Sequence, residues 1–108
     1  MIKQVDVDYV SRRLAEDAPP RLLDVRQPWE NEYCQLSDSI LIPLGELPGR
    51  VEELEFPHDA EVIVYCHHGV RSLSGAAILQ AAGFTNVASM AGGIEAWSHH
   101  IDPTIPRY

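Results

Sequence analysis

The stretch from residue 62 to 82 constrains the fold of this chain more than any other. Four consecutive apolar residues (62–65) are followed by Cys66, a short loop with Gly69, and an alanine-rich helical segment at 72–82. A short apolar run without polar alternation favours a strand that is covered on both faces of its sheet. Strand, loop and helix in this order predict that Cys66 lies at a strand end and faces the amino end of a helix.

The amino end of a helix is a favourable place for an anion or a thiolate. Its first N–H groups have no partner within the helix, and the positive end of the helix dipole lies there. Arg71 adds a permanent positive charge with a planar set of donors. Because the thiolate is the reactive form of cysteine, we interpret Cys66 as a nucleophile and not only as a small buried residue.

Strand-like and helix-like segments alternate along the rest of the chain. We expect strands at residues 2–5, 21–26, 40–42, 61–65 and 85–89, and helices near 6–17, 28–33, 72–82 and 94–97. We expect a buried strand at 40–42, and a helical or irregular segment at 44–54 that Pro48 and Gly49 interrupt. The alternation predicts one α/β domain over residues 1–108, with a mainly parallel sheet and an irregular proline-rich tail at 101–108.

The carboxyl ends of parallel strands meet at one edge of the sheet, where such folds place their sites. Cys66 follows one predicted strand, residues 24–26 end another, and residues 90–93 follow a third. These three segments are therefore expected to converge.

Composition excludes several classes of function. The net charge of −8, with a single lysine, argues against general nucleic-acid binding, which needs a basic face. No apolar run approaches the length that spans a membrane, and the amino end lacks a signal-peptide core. We therefore expect a cytoplasmic protein without membrane contact. In that reducing compartment Cys34 is expected to pack as a small apolar residue, not to form a stabilising disulfide.

Six motifs occur in an order that resembles the rhodanese family of sulfurtransferases, over about residues 2–100. They are residues 22–26, 28–30, 40–43, 66–72, 83–87 and 92–97. The resemblance implies a three-layer α/β fold with a five-stranded, mainly parallel sheet flanked by helices. It also implies a thiosulfate sulfurtransferase-like enzyme, which takes sulfane sulfur from thiosulfate or a persulfide donor onto Cys66 as a persulfide. The sulfur then passes to cyanide, a thiol or a partner protein, and neither cofactor nor metal is implied.

The resemblance also implies roles for the neighbours of Cys66. The backbone N–H groups of residues 67–72 would cradle the outer sulfur, and Arg71 would bind the anionic donor. The substrate-binding residues are then His67, His68, Gly69, Val70, Arg71 and Ser72. Asp24 and Arg26 would brace the loop by hydrogen bonds. Residues 34–38 depart from a glycine- and proline-containing motif of many members, and the tail at 102–108 is similar to those of rhodanese domains joined to ubiquitin-like activating enzymes.

Three alternatives are weighed against this interpretation. Phosphatases and arsenate reductases of related folds place five residues between cysteine and arginine, whereas four lie between Cys66 and Arg71. A non-enzymatic docking or sensing module stays open, although inactive members commonly lack the cysteine. A metal site at His67 and His68, or at His99 and His100, is disfavoured because adjacent histidines usually point apart and the spacing matches no zinc pattern.

Overall fold

The structure, a computed structural model, describes all 108 residues. The strands are β1 (Lys3–Val5), β2 (Arg21–Asp24), β3 (Ser39–Leu41), β4 (Val62–Tyr65) and β5 (Val87–Met90). The helices are α1 (Val7–Leu14), α2 (Pro28–Tyr33), α3 (Leu47–Arg50), α4 (Arg71–Ala81) and α5 (Gly93–His100), with a 3-10 turn at Val51–Glu53. None of the helices is long and apolar enough to cross a membrane.

The five strands form one sheet in the order β1-β5-β4-β2-β3, and every neighbouring pair is parallel. β4 lies at the centre of the sheet, and all four of its residues are buried, as its apolar run predicts. Parallel neighbours need crossover connections, and here helices supply most of them. The predicted α/β fold with a five-stranded parallel sheet flanked by helices is confirmed.

Successive side chains of β4 point to opposite faces of the sheet and so belong to two apolar layers. Val62 and Val64 pack in the layer that includes residues of α3 and α4. Ile63 and Tyr65 pack in the layer that includes residues of α1 and α5. Trp97 belongs to the second layer and packs α5 on the sheet.

The structure corrects three expectations about local structure. β3 is an edge strand with a neighbour on one side only, so Ile40 is 40% exposed and the strand is not buried as expected. Pro48 and Gly49 do not interrupt a helix but lie within α3, because proline is tolerated in a first helical turn. α5 continues to His100, three residues beyond the predicted end at residue 97.

The three segments predicted to converge do meet at the carboxyl edge of the sheet. The Val25 N–H donates to the Tyr65 carbonyl at 3.1 Å, which joins the end of β2 to the end of β4. The Ile94 N–H donates to the Cys66 carbonyl at 2.9 Å, which joins the start of α5 to the same place. Backbone hydrogen bonds therefore hold the segment after β4 from both sides.

Candidate active site

Cys66 directly follows β4, and only 1% of its surface is exposed. Its Sγ accepts hydrogen bonds from the N–H of Gly69 at 3.1 Å and the N–H of Ser72 at 3.3 Å. The Ser72 N–H belongs to the first turn of α4, so the positive end of the helix dipole points at the sulfur. Both contacts are of the kind that stabilises negative charge on sulfur, and a cysteine nucleophile reacts as the thiolate.

Two buried hydroxyl groups form a chain of contacts that begins at the sulfur. Ser72 Oγ lies 3.5 Å from Cys66 Sγ and 2.7 Å from Ser89 Oγ. Because a hydroxyl rotates to suit its partners, Ser72 can donate to a thiolate while it accepts from Ser89. Ser89 was missed by the sequence analysis, and its one signal is a polar residue within the otherwise apolar β5.

The loop around Cys66 depends on two glycines. Gly69 has φ +97°, and a Cβ there would lie 2.9 Å from the Gly92 nitrogen. Gly93 has φ +61°, and a Cβ there would lie 2.4 Å from the His67 carbonyl oxygen. Both residues therefore use a backbone conformation and a space that a side chain would not allow. This close approach lets α5 begin directly against the Cys66 loop.

Arg71 forms a bidentate ion pair with Glu30. Arg71 Nη1 and Nη2 donate to the two carboxylate oxygens of Glu30 at 2.7 and 2.9 Å. Glu30 is only 3% exposed and also accepts from the Gln27 N–H at 2.8 Å. The hydrogen bonds from Arg71 lower the pKa of Glu30 to about 2, which outweighs the opposing effect of burial. Glu30 is therefore ionised at neutral pH.

Asp24 and Arg26 form a second ion pair, and both side chains are fully buried. Arg26 Nε and Nη2 donate to the two oxygens of Asp24 at 2.9 and 2.8 Å. Arg26 Nη2 also donates to the Cys34 carbonyl at 2.6 Å, which ties the segment after α2 to β2. Burial opposes the charge of Arg26, but these hydrogen bonds raise its pKa on balance. Cys34 itself is buried in the apolar layer with α1 and α5, as expected.

The irregular tail returns to this site through Tyr108. The Tyr108 hydroxyl accepts from Arg26 Nη1 at 2.9 Å and donates to Glu30 Oε1 at 2.7 Å, so it bridges the two ion pairs. Its ring stacks on the ring of His67, with centroids 3.8 Å apart and planes 9° apart. Trp29, whose side chain is 60% exposed, contacts the Tyr108 ring edge-on, with ring centroids 5.7 Å apart.

The histidines after Cys66 stack on one another. The rings of His67 and His68 are 3.8 Å apart and inclined by 23°. Burial and the neighbouring His68 lower the pKa of His67 below its ordinary value, so the neutral imidazole is favoured at neutral pH. His67 is therefore a poor source of positive charge for binding an anion.

The nitrogens of His67 and His68 and a carboxylate oxygen of Glu95 lie within 4.8 Å of one another. Such a cluster is the strongest candidate for a metal site in the chain. An imidazole lone pair lies in the plane of its ring, however, and two nearly parallel stacked rings do not direct their lone pairs to one point. The second pair, His99 and His100, is exposed, and His99 hydrogen-bonds to Glu95.

The structure brings the sequence-predicted residues together around Cys66 and adds three that the sequence analysis did not assign. The predicted residues of the loop are His67, His68, Gly69, Val70, Arg71 and Ser72, and Asp24 and Arg26 join them through Tyr108 and Glu30. The added residues are Glu30, Ser89 and Tyr108. Glu30 has a local signal, because it forms a capping box with Gln27 at the start of α2. Tyr108 has none.

A three-layer α/β domain with a cysteine loop at the start of a helix defines a class of thiol-dependent proteins, and comparison with known proteins identifies the family. The model of the Rhodanese-like domain matches residues 6–100. The chain therefore belongs to the rhodanese-like domain family, and it is a sulfurtransferase-type domain. This confirms the resemblance seen in the sequence.

Similar proteins carry matching names. A protein of Allochromatium vinosum named sulfurtransferase is 33% identical over 105 residues, which cover 97% of this chain and 96% of that protein. The Mycobacterium tuberculosis protein named probable adenylyltransferase/sulfurtransferase MoeZ is 32% identical over 87 residues, and the chain spans about a fifth of its length. The crystal structure of a rhodanese-like domain protein from Staphylococcus aureus superposes with a TM-score of 0.83, at 25% identity and 99% coverage of both chains.

Proposed function

We propose that this protein transfers sulfane sulfur through a persulfide on Cys66. The observation that carries the proposal is the pair of N–H donors at Cys66 Sγ, from Gly69 and from the first turn of α4. These donors stabilise negative charge on the sulfur, both on the attacking thiolate and on the persulfide that it forms. The donor is thiosulfate or a persulfide, as the sequence predicts.

The reaction balances without a metal, a cofactor or an external oxidant. The Cys66 thiolate attacks the sulfane sulfur of thiosulfate, a new S–S bond forms, and sulfite leaves with the electron pair of the broken S–S bond. Cyanide then attacks the outer sulfur of the persulfide, which gives thiocyanate and restores the thiolate. A thiol or a protein acceptor takes the same sulfur in the same way. Residues 67–72 are the proposed cradle for that outer sulfur.

A protein donor or acceptor is supported by the surroundings of the site. Trp29 and Val70 are 60% and 73% exposed, although both are large apolar side chains. Val70 belongs to the Cys66 loop, and Trp29 contacts Tyr108, which stacks on His67. Aromatic side chains are common in protein interfaces. The cytoplasmic location stays a prediction from the sequence.

The test is the intact mass of the protein after thiosulfate or a small-molecule persulfide, and again after cyanide. We expect the wild type to gain one sulfur atom and to lose it to cyanide. Cys66→Ser should gain none. The matched control is Cys34→Ser, because Cys34 is the other free cysteine and should leave sulfur uptake unchanged.

Sulfur uptake by folded Cys66→Ser, or loss of uptake in Cys34→Ser alone, would refute the assignment of the nucleophile. A folded wild type that takes sulfur from neither small donor would contradict the proposed transfer from small molecules. That result would favour the docking or sensing function instead.

A further inference from the structure

The positive charge of Arg71 is already neutralised. Both of its terminal nitrogens are hydrogen-bonded to the two oxygens of Glu30, at 2.7 and 2.9 Å. Parallel N–H bonds of this kind are among the strongest charge-assisted contacts in proteins. An incoming anion therefore meets an ion pair where the sequence alone indicates a free guanidinium group.

Glu30 is held in place by more than Arg71. It accepts from the Gln27 N–H at 2.8 Å and from the Tyr108 hydroxyl at 2.7 Å, and it is almost fully buried. Rotating the carboxylate away from Arg71 would break these bonds as well. The partner of Arg71 is thus a buried carboxylate that other hydrogen bonds hold in a fixed position.

The other charges near Cys66 do not restore a positive field. Arg26 is paired with Asp24, and the Glu95 carboxylate lies 3.7 Å from the ring of His67. The surroundings of Cys66 therefore contain two guanidinium groups and three carboxylates. The whole chain carries a net charge of −8, so its long-range field also repels an anion.

We propose that Glu30 makes the site selective for the charge of the sulfur donor. The site then favours a persulfide, which carries at most one negative charge at its reacting sulfur, over the thiosulfate dianion. This inference rests on the proposed sulfur transfer through Cys66. In the favoured step the Cys66 thiolate attacks the outer sulfur of R–S–SH. The new bond gives Cys66–S–SH, and the inner sulfur leaves as the thiolate R–S⁻ with the electron pair of the broken bond.

The energetic reason is the second negative charge of thiosulfate. A persulfide needs donors for one sulfur, and the loop N–H groups and α4 supply them. A sulfonate group also needs net positive charge, and Arg71 offers this only if it leaves Glu30. The N–H groups of Arg71 that Glu30 does not use belong to an ion pair without net charge. Breaking this ion pair leaves the buried Glu30 carboxylate without its charged partner, which is costly.

Two donors of the same kind but different charge test this inference. Thiosulfate is a dianion, and methanethiosulfonate presents the same sulfane sulfur as a monoanion with a methyl group in place of one oxygen. The assay measures kcat/KM for both donors, with cyanide as acceptor and constant ionic strength, in wild type and Glu30→Gln. Glutamine keeps the shape and one acceptor oxygen but removes the charge.

We expect Glu30→Gln to raise the ratio of kcat/KM for thiosulfate to that for methanethiosulfonate at least tenfold. Dividing the ratio of the variant by that of wild type cancels the different reactivity of the donors. Glu55→Gln is the control, since it removes one exposed charge from the loop that precedes β4, at the opposite edge of the sheet. It should leave the ratio within twofold. An unchanged ratio in active Glu30→Gln would overturn the inference while leaving Cys66 chemistry intact. Failure of the wild type to take sulfur from these two donors and from a small-molecule persulfide would instead contradict the proposed function.

The wild type provides a second measurement that does not depend on the folding of the variant. Salt screens charges beyond about 10 Å at 0.1 M. Because the site offers no net attraction, kcat/KM for thiosulfate should stay constant or rise as inert salt is added. A severalfold fall with salt would show attraction by a free cation and would overturn the inference.

Discussion

The Tyr108 hydroxyl joins the tail to both ion pairs of the site, and Tyr108→Phe isolates its contribution to stability. The phenylalanine ring keeps the stacking on His67 but removes the oxygen that bridges Arg26 and Glu30. Both partners are ionised, and a hydrogen bond to a charged group contributes about 1.5–3 kcal/mol. Arg26 and Glu30 keep their other partners, and Tyr108 is only partly buried, so water can replace part of the loss.

We therefore expect Tyr108→Phe to lower the free energy of unfolding by about 2 kcal/mol. For a domain of this size that corresponds to a fall in Tm of roughly 8–16 °C. Urea denaturation measures the effect directly, and the slope of the transition should not change, since the folded state buries the same surface.

Tyr33→Phe is the matched control for this experiment. Tyr33 is 52% exposed, touches the Tyr108 ring edge-on at 5.8 Å, and has no hydrogen bond from its hydroxyl to the rest of the protein. Its loss should change stability by less than about 0.5 kcal/mol. If Tyr108→Phe is as neutral as Tyr33→Phe, the tail does not hold the two ion pairs in solution and the reasoning is refuted.

Two further predictions concern stability. Because the folded protein holds Glu30 with a pKa of about 2, against an ordinary value of 4.5, its ionisation stabilises the fold by about 3 kcal/mol above pH 4.5. That stability is lost as the pH falls from 4.5 towards 2. The difference in free energy of unfolding between wild type and Glu30→Gln, measured by urea denaturation, should therefore shrink over this range. A difference that stays constant would contradict the prediction. Gly93→Ala should cost at least about 2 kcal/mol, because its Cβ would meet the His67 and Cys66 carbonyl oxygens at 2.4 and 2.6 Å in a left-handed backbone. Gly49→Ala, with open space around it in α3, should be neutral or stabilising by about 0.5–1 kcal/mol, and thermal unfolding of both variants decides the point.

Sequence patterns predicted most of the fold because its elements are local. The apolar run at 62–65 predicted the central strand, and the start of α4 differs by one residue from the predicted helix. Two of the wrong predictions, at Pro48 and at the end of α5, concern helix boundaries, whereas the third concerns neighbours in space. The exposure of Ile40 depends on which strand lies at the edge of the sheet. The pattern of apolar and polar side chains along a strand does not specify the order of the strands.

The sequence by itself determined the position of Cys66, the proposed nucleophile, and its immediate setting. Cys66, its glycine-containing loop and the amino end of α4 are consecutive, so a strand followed by a helix brings them together. Only the tertiary structure decided what surrounds them. Glu30, Ser89 and Tyr108 find their partners across 41, 17 and 78 residues. A buried charge requires a partner of opposite charge, but which residue supplies it depends on where the crossovers and the tail return to the sheet.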